Sequence, residues 1–121
     1  MKDIEDMKDI QLLVNSFYTE VRKDKDLGPI FEAFIKNWED HLKKMYRFWQ
    51  TILLNEKTYN GSPFPPHVKL PIKRQDFDIW IQLFEKTINQ HFKGEKAEEA
   101  KNKARQIAQV FSIKLQYIKE Q

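Results

Sequence analysis

Apolar residues recur along this chain at intervals of three and four, the spacing that gathers side chains on one face of an α-helix. Ile10, Leu13, Val14, Phe17 and Val21 form the first stripe, with Tyr18 one turn past Val14 at its edge. The pattern breaks over residues 22–28. Pro29 then stands where a short helix, PIFEAFIK, would open and run to near Asn37. A second long helix is predicted over residues 38–55. Its His41, Met45, Phe48 and Ile52 share one face, and Leu42, Met45, Trp49 and Leu53 make the neighbouring stripe, an arc wide enough for partners on two sides. A third helix is predicted over residues 76–91, with Phe77, Trp80, Phe84 and Ile88 in register. The last is predicted over residues 95–120, with Ala100, Ala104, Ile107, Ala108, Phe111, Leu115 and Ile118 inward. No segment reads as a strand. The expected class is all-α, in one domain over residues 1–121.

One stretch breaks the helical rhythm. Residues 60–71 read NGSPFPPHVKLP, with Pro63, Pro65, Pro66 and Pro71 around His67. Proline lacks a backbone donor and fixes φ, so a long regular helix is not expected there. The whole connection over residues 55–74 is long for a small domain, and such loops tend to carry function. Asn60-Gly61-Ser62 matches a glycosylation acceptor, but Pro63 follows and the triplet reads as a turn.

Composition narrows the chemistry. Nine Phe, four Tyr and three Trp are many for 121 residues, and aromatics line flat ligand pockets as well as cores. Three glycines argue against a Gly-rich nucleotide loop, and the absence of cysteine excludes disulfides, thiolate metal sites and cysteine nucleophiles. The net charge of +3 is mild and its basic residues are interleaved with acidic ones, so no nucleic-acid partner is expected. No apolar run reaches membrane-spanning length, and MKDIEDMKDI has no apolar core, so no membrane association is expected and the cytoplasm is the expected location.

Three histidines remain to be weighed. His91 falls at a helix C-terminus, where a dipole role suffices. His41, on an apolar helix face, is by itself most simply a satisfied half-buried side chain. His67 has no second histidine or carboxylate at zinc-binding spacing. Haem iron differs from zinc in needing one strong protein ligand, because the porphyrin supplies four nitrogens. The porphyrin then needs a wide, flat, aromatic slot.

The ordered set Phe17-Tyr18 in SFYTEVRKDKDLGPIF, Trp38 and His41 in NWEDHLKKMYRFW, Tyr59, Gly61 and His67 in YNGSPFPPHVKLPI, and Phe77 and Trp80 in FDIWIQLFEKT resembles the truncated haemoglobins, specifically their group III bacterial branch. The likeness runs from near residue 10 to near residue 118. It implies a two-over-two helical globin holding haem b, iron protoporphyrin IX. His67 matches the proximal iron ligand and Phe31 the phenylalanine that packs on the porphyrin. Tyr18, Trp80 and His41 match the distal residues that meet a bound gas. Trp38, Met45, Phe48, Leu70, Phe77, Trp80 and Phe84 are the further haem-contact candidates. Lys43, Lys44, Arg47, Lys69, Lys73, Arg74 and Tyr59 are candidates for the propionates.

The resemblance implies O2, NO, CO or peroxide as ligands, and an unidentified reductase as electron donor. Tyrosine and tryptophan can both donate a hydrogen bond to a ligand carrying partial negative charge. Two or three such donors would slow O2 release. Nitric oxide or peroxide detoxification, or modulation of O2 supply, is then expected over simple transport. The alternatives are a gas-sensing haem module without turnover and a helical interaction domain without a cofactor. A monomer is the expected state.

Overall fold

The computed structural model describes residues 1–56 and 73–120, with side chains as far as residue 114. Five helices lie among them: α1 (Met7–Lys23), α2 (Leu27–Phe34), α3 (Trp38–Leu54), α4 (Arg74–His91) and α5 (Glu95–Glu120). No strand occurs among the described residues. The 55–74 connection falls largely outside them, and with it Tyr59, His67, Lys69 and Leu70.

Local chemistry sets where each helix starts. The Asp6 carboxylate accepts the Asp9 backbone N–H at 3.1 Å and opens α1. Asn37 does the same for α3, accepting from the Asp40 N–H at 3.1 Å. Asp76 reaches back to accept the Lys73 N–H at 2.8 Å at the head of α4. The short helix α2 starts at Leu27, ahead of the predicted Pro29, and ends at Phe34. The reason is Asp24, whose side chain accepts the N–H groups of Asp26 and Leu27, both at 2.9 Å. Pro29 is accommodated in the first turn, where backbone donors have no intrahelical partner. Gly28 lets α2 fold back closely on α1. A Cβ there would sit 2.6 Å from the Arg22 carbonyl oxygen.

Helix α1 packs on α3, and α4 packs on α5. The two pairs meet where α1 crosses α4 and α3 crosses α5, with α2 covering one end against α1 and α4. This is a two-over-two sandwich of helices. Its centre is the predicted α1 stripe, since Ile10, Leu13, Val14, Phe17 and Val21 are all buried. Trp49 and Leu53 from α3, Phe84 and Ile88 from α4, and Ala97, Ala100 and Ala104 from α5 complete it. The alanines let α5 approach α4 closely. The buried Thr87 hydroxyl is satisfied by the Leu83 carbonyl at 2.8 Å.

The first residues of the chain fasten the junction between α4 and α5. Asp3 accepts the N–H groups of Lys96 and Ala97 at the head of α5, and the Lys2 carbonyl accepts the Lys93 N–H at 2.9 Å. Ile4 and Phe92 are buried beside this junction.

Candidate functional site

Between the two helix pairs lies an aromatic cleft enclosing ≈ 690 Å³ of empty space, counting the part open to solvent. Helix α1 lines it with Phe17 and Tyr18, α2 with Leu27 and Phe31, α3 with Met45, Phe48 and Trp49, α4 with Asp76, Phe77 and Trp80, and α5 with Ile107, Ala108 and Phe111. All five helices therefore contribute.

The rings order one another. Phe84 stacks between Trp49 and Trp80, with centroids at 5.0 and 5.7 Å and interplanar angles of 23° and 12°. Phe17 meets Trp80 and Phe84 edge-on, at 5.5 and 5.1 Å. These are the separations at which aromatic pairs attract. Trp80 and Phe77 are only half-buried, so the column presents part of its surface to the cleft.

Tyr18 is the polar group on this wall whose setting is unusual. It is 7% exposed, and among the described residues no hydrogen bond holds its hydroxyl. Its ring is surrounded edge-on by Phe17 at 5.0 Å, Phe31 at 6.2 Å, Trp38 at 5.8 Å and His41 at 5.0 Å. Burial pushes the phenol far above its ordinary range, so it stays protonated and remains a donor. Asp76, the one carboxylate among the described lining residues, is already engaged by the Lys73 N–H.

Of the site residues expected from sequence, Tyr18, Phe31, Met45, Phe48, Phe77 and Trp80 come together on the cleft wall. His41 and Trp38 do not line it. They pack on Tyr18 and on each other, the latter pair at 5.8 Å. Phe84 lies one layer behind, buried in the ring column. His67 and Leu70 lie outside the described residues. Lys43, Lys44 and Arg47 are exposed on α3, and Lys73 and Arg74 are exposed at the head of α4. Phe17, Leu27, Trp49, Asp76, Ile107, Ala108 and Phe111 were not among the expected site residues. Periodicity had marked Phe17, Trp49, Ile107, Ala108 and Phe111 as core, and here the core itself opens into the cleft.

Comparison with known proteins meets this geometry. Residues 3–113 match the family described as bacterial-like globin. The chain belongs to that globin family. It is 42% identical to the group 3 truncated hemoglobin ctb of Campylobacter jejuni, a match covering 88% of this chain and 85% of that protein. It also superposes on the crystal structure of the group III truncated hemoglobin from Campylobacter jejuni with a TM-score of 0.85, at 38% identity and over 95% of each chain. This globin is accordingly a member of the group III truncated haemoglobin branch, with the two-over-two fold of that branch.

Haem binding goes with the family, and the chain's residues fit the group. A porphyrin is flat and apolar across its faces, and the cleft offers Phe, Trp and Met surfaces with its single described carboxylate already bonded. Lys44 on α3 and Lys73 and Arg74 at the head of α4 are exposed basic side chains of the sign that would suit its acidic edge. Among the described residues no group of three or more His, Asp or Glu could hold a bare metal ion. No helix among them is long and apolar enough to cross a membrane.

Proposed function

We propose that this globin holds haem b and binds O2 and related small ligands, with nitric oxide or peroxide detoxification, or modulation of O2 supply, as its role. In this reading His67 is the proximal ligand. When bound, the haem supplies an iron with one open position for O2, NO, CO or peroxide. Phe31, Met45, Phe48 and Phe77 hold its faces and keep water out. Tyr18 and Trp80 donate hydrogen bonds to the ligand, and His41 acts beside Tyr18. The electrons come from a separate reductase, and the unit at work is a monomer of one domain over residues 1–121.

The observation that carries this reading is Tyr18, a neutral, buried phenol on an aromatic cleft wall with no hydrogen bond among the described residues. Tyr18 lies on the cleft wall and its hydroxyl is not one of the fully enclosed polar atoms, so a guest in the cleft can reach it. A ligand that takes up negative charge in the cleft would satisfy it, and in a dry pocket that bond is strong. Slow O2 release follows, which favours reaction over transport.

The test is an absorption spectrum of the purified protein with haemin, oxidised, reduced with dithionite, and then under carbon monoxide. A histidine-type Soret band that shifts with carbon monoxide and is lost in His67→Ala supports the reading. A folded protein that takes up no haemin overturns it. With haem in place, nitric oxide consumption in the presence of O2 and a reductase separates turnover from binding alone.

A further inference from the structure

Four rings surround Tyr18, and one of them, Trp38, is itself held from outside the cleft. Trp38 stands in the first turn of α3, and its indole N–H is buried without a hydrogen-bond partner among the described residues. What fixes that indole is contact with Tyr18 and His41 on one hand and a cation on the other. The Arg22 guanidinium lies over the Trp38 ring, 4.3 Å from its centroid. The same guanidinium is ion-paired with Glu32 of α2, both side chains being 46% exposed. Arg22 therefore joins α1, α2 and α3 at one point outside the cleft, one helical turn past Tyr18 on the same helix.

We propose that Arg22 is a positioning residue for Tyr18: anchored by Glu32, it presses Trp38 against the Tyr18 and His41 rings and so fixes where the Tyr18 hydroxyl points. The proposal rests on the haem reading above. A planar guanidinium suits this task, since it can lie flat on an indole while its edge meets a carboxylate. The pair is solvent-exposed, so its effect is graded. Losing it loosens the ring cluster without unfolding the protein.

The experiment uses the haem-loaded protein with carbon monoxide bound, comparing the parent with Arg22→Ala, Arg22→Lys, Trp38→Phe and the Arg22→Ala/Trp38→Phe double variant. The infrared stretch of the carbon monoxide reports the donors around it, and the rate of O2 release reports their strength. The indole N–H proton resonance of Trp38, identified by its loss in Trp38→Phe, is followed with and without haemin. Arg22→Ala is expected to split or broaden the carbon monoxide band, to shift the indole resonance in both states, and to change O2 release by about two- to five-fold. Arg22→Lys recovers part of the change, and in the Trp38→Phe background Arg22→Ala adds nothing. A parent-like band and release rate in haem-loaded Arg22→Ala would overturn the proposal alone. So would an equal effect of that change in the Trp38→Phe background. A parent that takes up no haem overturns this proposal and the haem reading together.

Discussion

The Asp3 carboxylate caps α5 from the opposite end of the sequence, accepting the backbone N–H groups of Lys96 at 2.8 Å and Ala97 at 2.9 Å. Helix N-termini leave donors without partners and carry partial positive charge, so a carboxylate there stabilises the helix twice over.

Asp3→Ala is expected to destabilise the fold by about 0.5–2 kcal/mol, read as a lower melting temperature at neutral pH. Gly94 sharpens the test. Its φ is +143°, and a Cβ there would meet the Asp3 side chain at 2.5 Å. Gly94→Ala should therefore cost less in the Asp3→Ala background than in the parent, and strict additivity would argue against the contact. The cap also carries a pH dependence. Burial opposes ionisation of Asp3, but the N–H groups of Lys96, Ile4 and Ala97 outweigh it and hold the carboxyl below its ordinary value of 3.8. Its contribution is thus complete above that value and is lost as pH falls through the lower folded value. Melting curves from pH 7 to pH 3 should show a smaller acid loss in Asp3→Ala than in the parent.

Tyr18 gives a dependence at the other end of the scale. Its phenol is raised by burial from an ordinary value of 10.0. The unfolded chain therefore ionises this group first, and the associated stability is present below pH 10 and lost as pH rises above it. Denaturant unfolding at pH 9 and pH 11 should show a steeper fall for the parent than for Tyr18→Phe. Equal slopes would mean that the phenol is not shielded from water.

Replacing both Tyr18 and Trp80 with Phe should speed O2 release from the haem-loaded protein by well over tenfold. Each hydrogen bond to a charged partner contributes on the order of 1.5–3 kcal/mol. Stopped-flow displacement of O2 by carbon monoxide measures the rate. Either single change alone can move the rate in either direction, because both rings pack on Phe17 and are coupled through it. Unchanged release in the double variant would remove both residues from the distal role.

Phe84→Ala is expected to cost about 3–5 kcal/mol, since the ring is 1% exposed and stacked on both sides. Chemical denaturation with an unchanged slope reads this directly. A loss below about 1 kcal/mol would mean that the column is not part of the core.

Much of this fold was legible from spacing. The five predicted positions of the α1 stripe are all buried, and the span of α5 agrees with its apolar register. What escaped were features that depend on a specific oxygen. The start of α2 is set by Asp24, and its side chain competes for backbone donors ahead of the proline that looked decisive. Asp3 gave no signal, because its partners are more than ninety residues away. The cleft was half legible. Tyr18, Phe31 and Trp80 reach its wall, yet sharing a face with Met45 did not bring His41 there. A helical face tells which side chains are near one another, while the rings of Tyr18 and Trp38 decide what they touch.

The Trp49–Phe84–Trp80 column has an optical consequence. Trp80 lines the cleft and Trp49 sits two rings away along the same stack, while Trp38 touches Tyr18 on the wall. All three tryptophans of the chain thus lie on the cleft wall or one ring behind it. A strongly absorbing guest in the cleft would drain the emission of every one of them, so ultraviolet fluorescence alone would count occupied molecules, one chain at a time, with no dark fraction contributed by a distant indole.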